Sequence, residues 1–170
     1  MAKRDSRREA TAYHEAGHAV VCHKLGYQTK RITIVPSGTS LGECSHEKII
    51  RSNPEVDGSA KARLQMEKCI MVCLAGNIAQ RRWRASSVRS YHASSDNHLA
   101  TDLAIRINGS GPIATAYLKW LSLRTKQILE SSWQTVEALA TDLLRVGTIN
   151  VKRPSINEPV TVAKVQFFWR

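Results

Sequence analysis

The 170-residue sequence has no apolar run of membrane-spanning length. Its longest, Cys69 to Ala75, is roughly a third of what a helix needs to cross a bilayer. No apolar stretch follows the basic start Met1-Ala2-Lys3-Arg4, so no secretion signal is read there. A soluble, cytoplasmic protein without a membrane span is expected. No Cys-x-x-Cys pair occurs, which excludes a zinc ribbon; Cys22, Cys44, Cys69 and Cys73 are expected as reduced, mostly buried thiols. Cys69 and Cys73, one helical turn apart, read as small core residues rather than ligands. There is no internal repeat and no low-complexity tract. Acidic residues are scarce, 14 against 25 lysines and arginines, for a net charge of +11. Basic clusters stand at Lys3-Arg4-Arg7-Arg8 and Arg81-Arg82-Arg84. They admit an acidic partner or steering of an acidic substrate, but a charge run is commonly a solvated face, and nucleic-acid binding is not the favoured reading.

What is present is one strong motif. Ala12-Tyr13-His14-Glu15-Ala16-Gly17-His18-Ala19-Val20 carries His14-Glu15-x-x-His18 in a stretch whose only helix breaker is a glycine. Residues four apart on a helix lie about 40° apart around its axis and one turn along it, so two imidazoles converge on one ion. Glu15 is displaced from their line, where it can accept a proton from a water activated by zinc as that water attacks a carbonyl. A merely polar helix face would show the same five residues. The apolar flank of Tyr13, Ala16, Ala19 and Val20, with small residues between the histidines, favours a packed metal site instead. His23 falls about 140° around the helix from His18, so it does not complete the site. The third-histidine position of metzincins is Lys24, which excludes that class.

The rest of the chain reads as follows. Asp5 or Ser6 is expected to cap a helix over 7–25, stopped by Gly26. Residues 31–35 form a β-branched strand, and 39–44 a returning one. Such a hairpin either serves as a structural ribbon or holds an extended substrate by its backbone. Residues 45–58, with Asn53-Pro54, read as a loop or flap. Ser59 caps a helix to about Trp83, with Leu64, Ile70, Cys73, Leu74 and Ile78 facing inward. A basic, serine-rich loop over 84–95 leads to a third helix, capped by Ser94 or Ser95, whose Leu99, Ala100, Leu103 and Ile107 face inward and whose first turn holds Asp96. Gly109-Ser110-Gly111-Pro112 breaks the chain before two helices over 113–146, joined near 130–132 and ended by Gly147. A last strand or packed extension is expected over 160–169. The fold class is α+β, a mostly helical zincin-like domain with a small sheet or hairpin, occupying 1–150 with 151–170 as a C-terminal extension.

A catalytic zinc needs a third protein ligand. Glu43, Glu47, Asp57, Glu67, Asp96 and Asp102 are candidates that spacing does not separate, although a helix N-terminus favours an ionised Asp96.

Four stretches in register resemble the zinc peptidase domain of FtsH-type proteases over roughly residues 9–150. They are the helix of His14 and His18; Ile32-Thr33-Ile34-Val35-Pro36-Ser37-Gly38 with Leu41-Gly42; Leu74-Ala75-Gly76-Asn77-Ile78-Ala79; and Ser95-Asp96 followed by Ala100-Thr101-Asp102-Leu103-Ala104. The resemblance implies that Asp96 is the third Zn2+ ligand beside His14 and His18, with Glu15 as general base. It departs from the family at Gln80-Arg81, where two glutamates are usual, and at His92, where the family has glycine. No Gly-x-x-x-x-Gly-Lys-Ser/Thr phosphate loop occurs in these residues.

The expected function is therefore ATP-independent zinc metallopeptidase action on flexible or unfolded protein segments, some presented by a separate partner. The alternatives are a zinc-bearing interaction or regulatory module with weakened turnover, and a basic nucleic-acid binder. His46, His92, His98 and Tyr91 carry no assigned role; each can stabilise an oxyanion or simply sit on the surface.

Overall fold

The computed structural model describes residues 2–51, 57–87 and 94–151. The order is α1 (Ala2–Lys24), β1 (Thr29–Thr33), β2 (Glu43–His46), α2 (Ala60–Trp83), a 3-10 turn (Ala85–Ser87), α3 (Ser94–Asn108), α4 (Pro112–Ser131), α5 (Trp133–Val146) and β3 (Thr148–Asn150). This is the expected mostly helical α+β class. The Asn53-Pro54 part of the proposed flap, Tyr91, His92 and the strand expected over 160–169 lie outside the described residues.

Helix α1 begins at Ala2, earlier than expected, because nothing in its first turns breaks a helix. Ser6 is therefore inside the helix and does not cap it; its hydroxyl accepts a hydrogen bond from Arg84 at 2.9 Å. Gly26 ends the helix as expected, in the left-handed region at φ 85°. The inner face of α1 is made of Ala12, Ala16, Ala19, Val20 and Cys22, all fully buried. This small-residue face lets α1 lie almost in contact with α2. A β-carbon on Gly17 would stand 2.6 Å from that of Ala79, so a side chain there would force the helices apart. Tyr13 then stacks between Trp83 and Trp133, with ring centroids 5.1 and 5.9 Å away, which locks α1 against α2 and α5.

Ser59 caps α2 as expected, its hydroxyl accepting from the Ala62 amide at 3.1 Å. The inward line is Ala62, Met66, Ile70 and Cys73, joined by Met71, Val72, Ala75 and Ala79. Leu64, expected inside, is 50% exposed, because two residues on from Ala62 is the opposite side of the helix. Leu99 of α3 is likewise exposed, while Ala100, Leu103 and Ala104 are buried. Helix α3 already includes Ser94 and Ser95, so Ser95 is not its cap. Helices α4 and α5 meet at Ser132, and Pro112 opens α4 at a position that needs no amide donor.

The sheet is antiparallel in the order β2-β1-β3. Strand β1 lies two residues earlier than expected. Ile34 still bonds through its amide to the Gly147 carbonyl at 2.9 Å, but Val35 points out, 55% exposed. Residues 37–40 close a tight turn, leaving 43–46 as the returning strand. Strand β3 carries no local sequence signal: three residues after Gly147 are too few to show alternation, and Ile149 is a strand because Ile32 pairs with it. β1 is thus central, and β2 has a free edge among the described residues.

Candidate metal centre

Three donor atoms from two helices converge. His14 and His18 of α1 bring their Nε2 atoms to 3.0 Å of each other. Asp96 Oδ2, in the first turn of α3, lies 3.4 Å from the first and 3.2 Å from the second. Two ligands at a tetrahedral zinc with bonds near 2.05 Å stand about 3.3 Å apart, so the spacing suits such an ion. Among the described residues this is the one such group of histidine, cysteine and carboxylate side chains.

The outer atoms of both rings are already committed. His14 Nδ1–H donates to Gln80 Oε1 at 3.2 Å, and His18 Nδ1–H donates to the Val72 carbonyl at 2.7 Å. Both partners are acceptors, so each Nδ1 carries a hydrogen and each Nε2 is the ring atom turned toward a cation. The Gln80 amide is itself oriented, its Nε2–H donating to the Ser87 carbonyl at 3.0 Å. Gln80 is buried. Its position in the sequence marked a departure from the FtsH pattern, but nothing in the spacing indicated that it touches His14.

Gly76 makes the approach possible. A β-carbon there would fall 2.4 Å from His18 Nε2 and 2.6 Å from His14 Nε2, in the space where the rings face the third donor. Only glycine lets the α2 backbone come this close.

Burial opposes ionisation of Asp96, but hydrogen bonds and charge from His14 and His18 outweigh it and hold the carboxyl well below its usual range. Burial works against a charged His18 too. The Asp96 hydrogen bond and the charges of Asp96 and Glu15 override it, raising the imidazole to about 9 with no cation between them. Glu15 is buried beside the group, and loss of hydration raises its pKa despite the two histidines. Gly42, between the strands, lies against its Oε1 and lets the loop close over it.

The other carboxylates considered as third ligands are held elsewhere. Glu43 pairs with Arg31 at 3.9 Å, and Glu47 pairs with Arg51 at 3.3 Å and accepts from the Gln28 amide. Glu67 accepts from Tyr117 and pairs with Arg63 at 3.6 Å. Asp57 accepts from the Ser59 amide at 3.0 Å, and Asp102 is exposed on α3. The donor group opens into a cleft of about 830 Å³ whose walls include Glu15, Leu41, Glu43, His46, Cys73 and Leu99. His46 is half-buried there with Nδ1–H donating to the Glu47 carbonyl at 2.7 Å, whereas His98 is on the surface. All four cysteines are free; Cys22 and Cys73 are buried, Cys44 and Cys69 half-buried.

The model of Peptidase family M41 matches residues 1–108. The chain is 32% identical over 106 residues to the ATP-dependent zinc metalloprotease FtsH of Haemophilus influenzae. It is 34% identical over 107 residues to the protein of that name from Rickettsia felis and 33% over 106 to that of Caulobacter vibrioides. Each match covers 61% of this chain and 16% of the relative, so the chain spans a small part of the length of the curated relatives it matches. The chain belongs to peptidase family M41.

Proposed function

We propose that this chain is a zinc metallopeptidase that hydrolyses peptide bonds in flexible or unfolded segments, with His14, His18 and Asp96 as metal ligands and Glu15 as general base. The observation that carries the reading is the pair of Nε2 atoms facing Asp96 Oδ2, each ring held by a carbonyl oxygen behind it. Zinc, when bound, supplies Lewis acidity that acidifies water and polarises the scissile carbonyl.

The chain's own residues do the rest. Glu15, buried and with a raised pKa, takes the proton of the attacking water as the new carbon–oxygen bond forms, then passes it to the amine nitrogen as the carbon–nitrogen bond breaks. Strand β2 supplies the binding edge: Glu43, Cys44 and His46 reach the cleft, and the side of β2 away from β1 offers backbone groups to an extended peptide. Of the two readings of the hairpin, structural ribbon or substrate-holding edge, this proposal takes the second and gives it to β2. The proposed cleavage step uses no nucleotide, so a folded substrate must be opened by another agent or presented by a partner. No helix among the described residues is long and apolar enough to cross a membrane.

The test is Glu15→Gln. It should keep one zinc per chain and lose cleavage of an unfolded substrate; a variant that cuts at the wild-type rate would remove Glu15 from the mechanism. A second reading, a zinc-bearing interaction module with little turnover, rests on Gln80, a neutral amide behind His14 where the family pattern has a carboxylate. Stoichiometric zinc without cleavage across a broad set of unfolded substrates would favour it.

A further inference from the structure

Helix α4 has two apolar lines. One, Ala114, Leu121, Thr125 and Leu129, is buried in the core. The other is Ile113, Ala116, Trp120 and Leu123, spaced three, four and three residues apart on the opposite side. Ile113 is 67%, Trp120 45% and Leu123 59% exposed. That spacing is the a/d seam of a two-stranded helical contact, extending about 15 Å along the axis from Ile113 to Leu123, with polar Gln127 at the next seam position. No residue of α4 lines the metal cleft.

The flanks say what kind of helix fits. The charged e and g positions beside this seam are Lys119, Arg124 and Lys126. Arg124 lies over the Trp120 ring at 5.0 Å, covering one side of the seam with a guanidinium. Arg63 of α2 stands over the Tyr117 ring, the remaining e position, at 5.6 Å. The one carboxylate at the end of the helix, Glu130, is already shared between Lys126 at 3.8 Å and Arg82 at 3.7 Å. A second copy of α4 would set cation against cation across the seam, in a chain of net charge +11.

We propose that this face of α4 docks an amphipathic helix of another protein, with apolar residues in heptad spacing and glutamate or aspartate on both flanks. The inference is independent of the peptidase reading, since it uses none of the site's residues. Trp120 is the anchor, flanked by Leu123 and Ile113, and the three cations select the partner and its register.

The experiment titrates the whole chain with two synthetic helical peptides of about three heptads, identical in leucine and isoleucine at the seam positions, with either glutamate or lysine at all e and g positions. Fluorescence of the exposed tryptophan and peptide anisotropy report binding. The acidic peptide should bind at least about tenfold tighter than the basic one and weaken as salt is raised. The variant Lys119→Glu/Arg124→Glu/Lys126→Glu, altered only at exposed positions, should reverse the preference, and Leu123→Glu should abolish binding without changing the circular dichroism spectrum. Binding of neither peptide, or of both equally, would overturn the proposal. So would concentration-dependent dimerisation of the chain that Leu123→Glu abolishes, since a second copy would then be the occupant.

Discussion

Gly76 of α2 lies so close to His18 of α1 that a single β-carbon would come within 2.4 Å of Nε2. The backbone of one helix forms the floor of a site whose ligands belong to two others. Gly76→Ala is expected to displace both imidazoles and weaken zinc binding by about a hundredfold or more, consistent with the sensitivity of metal sites to ligand placement. Isothermal titration with zinc checks this, alongside a melting curve to show that the chain still folds.

Gln80→Ala should leave His14 Nδ1–H without its acceptor and its ring without an anchor. Zinc affinity should fall by about ten- to a hundredfold. Gln80→Glu keeps the acceptor and adds charge behind the ring, so it should bind zinc at least as tightly as the wild type. Competition against a chelator of known affinity separates the three proteins.

Zinc uptake should depend on pH through His18. Its folded-state pKa without a cation is raised to about 9, so below that pH it holds a proton that zinc must displace. Affinity should therefore climb as pH rises from 6.5 toward 9 and level off above, with close to one proton released per zinc at neutral pH. The ion-free protein should change in the opposite sense. A folded pKa raised above the unfolded value stabilises fully below about 6.5, and that contribution is lost as pH rises through about 9. Denaturant titrations with and without zinc across this window measure both.

Packing predicts a contrast between two leucines. Leu121 is completely buried and Leu64 is half exposed. Leu121→Ala should cost about 2–5 kcal/mol of stability, and Leu64→Ala about 0.5 kcal/mol or less. Urea unfolding of the two variants decides it.

The helix of the histidines, its end at Gly26, the Ser59 cap and the helical pair over 113–146 were legible because each rests on local chemistry. A cap needs one hydroxyl and a left-handed turn one glycine. The strands were less so. Residues 148–150 become a strand only because β1 is there to pair with them, and β1 itself ends opposite Thr148, where that partner begins. Leu64 and Leu99 were misplaced because a stripe of apolar residues does not state which side of the helix the rest of the chain covers. At the site, spacing placed His14 and His18 on one face, but no local rule joins Asp96, 78 residues after His18, to them; four stretches in register with the FtsH pattern did. The backing by Gln80 and Val72 could not be read, because a backbone carbonyl carries no sequence signature and Gln80 drew notice only as an exception.

The metal centre and its chemistry are tested together by metal content from elemental analysis on the wild type and Asp96→Ala, with cleavage of an unfolded casein measured on the same samples. One zinc per chain and cleavage are expected in the wild type, with loss or marked weakening of both when Asp96 is removed. No zinc in a metal-replete wild-type preparation, or full zinc occupancy at unchanged affinity in Asp96→Ala, would contradict the proposed metal centre.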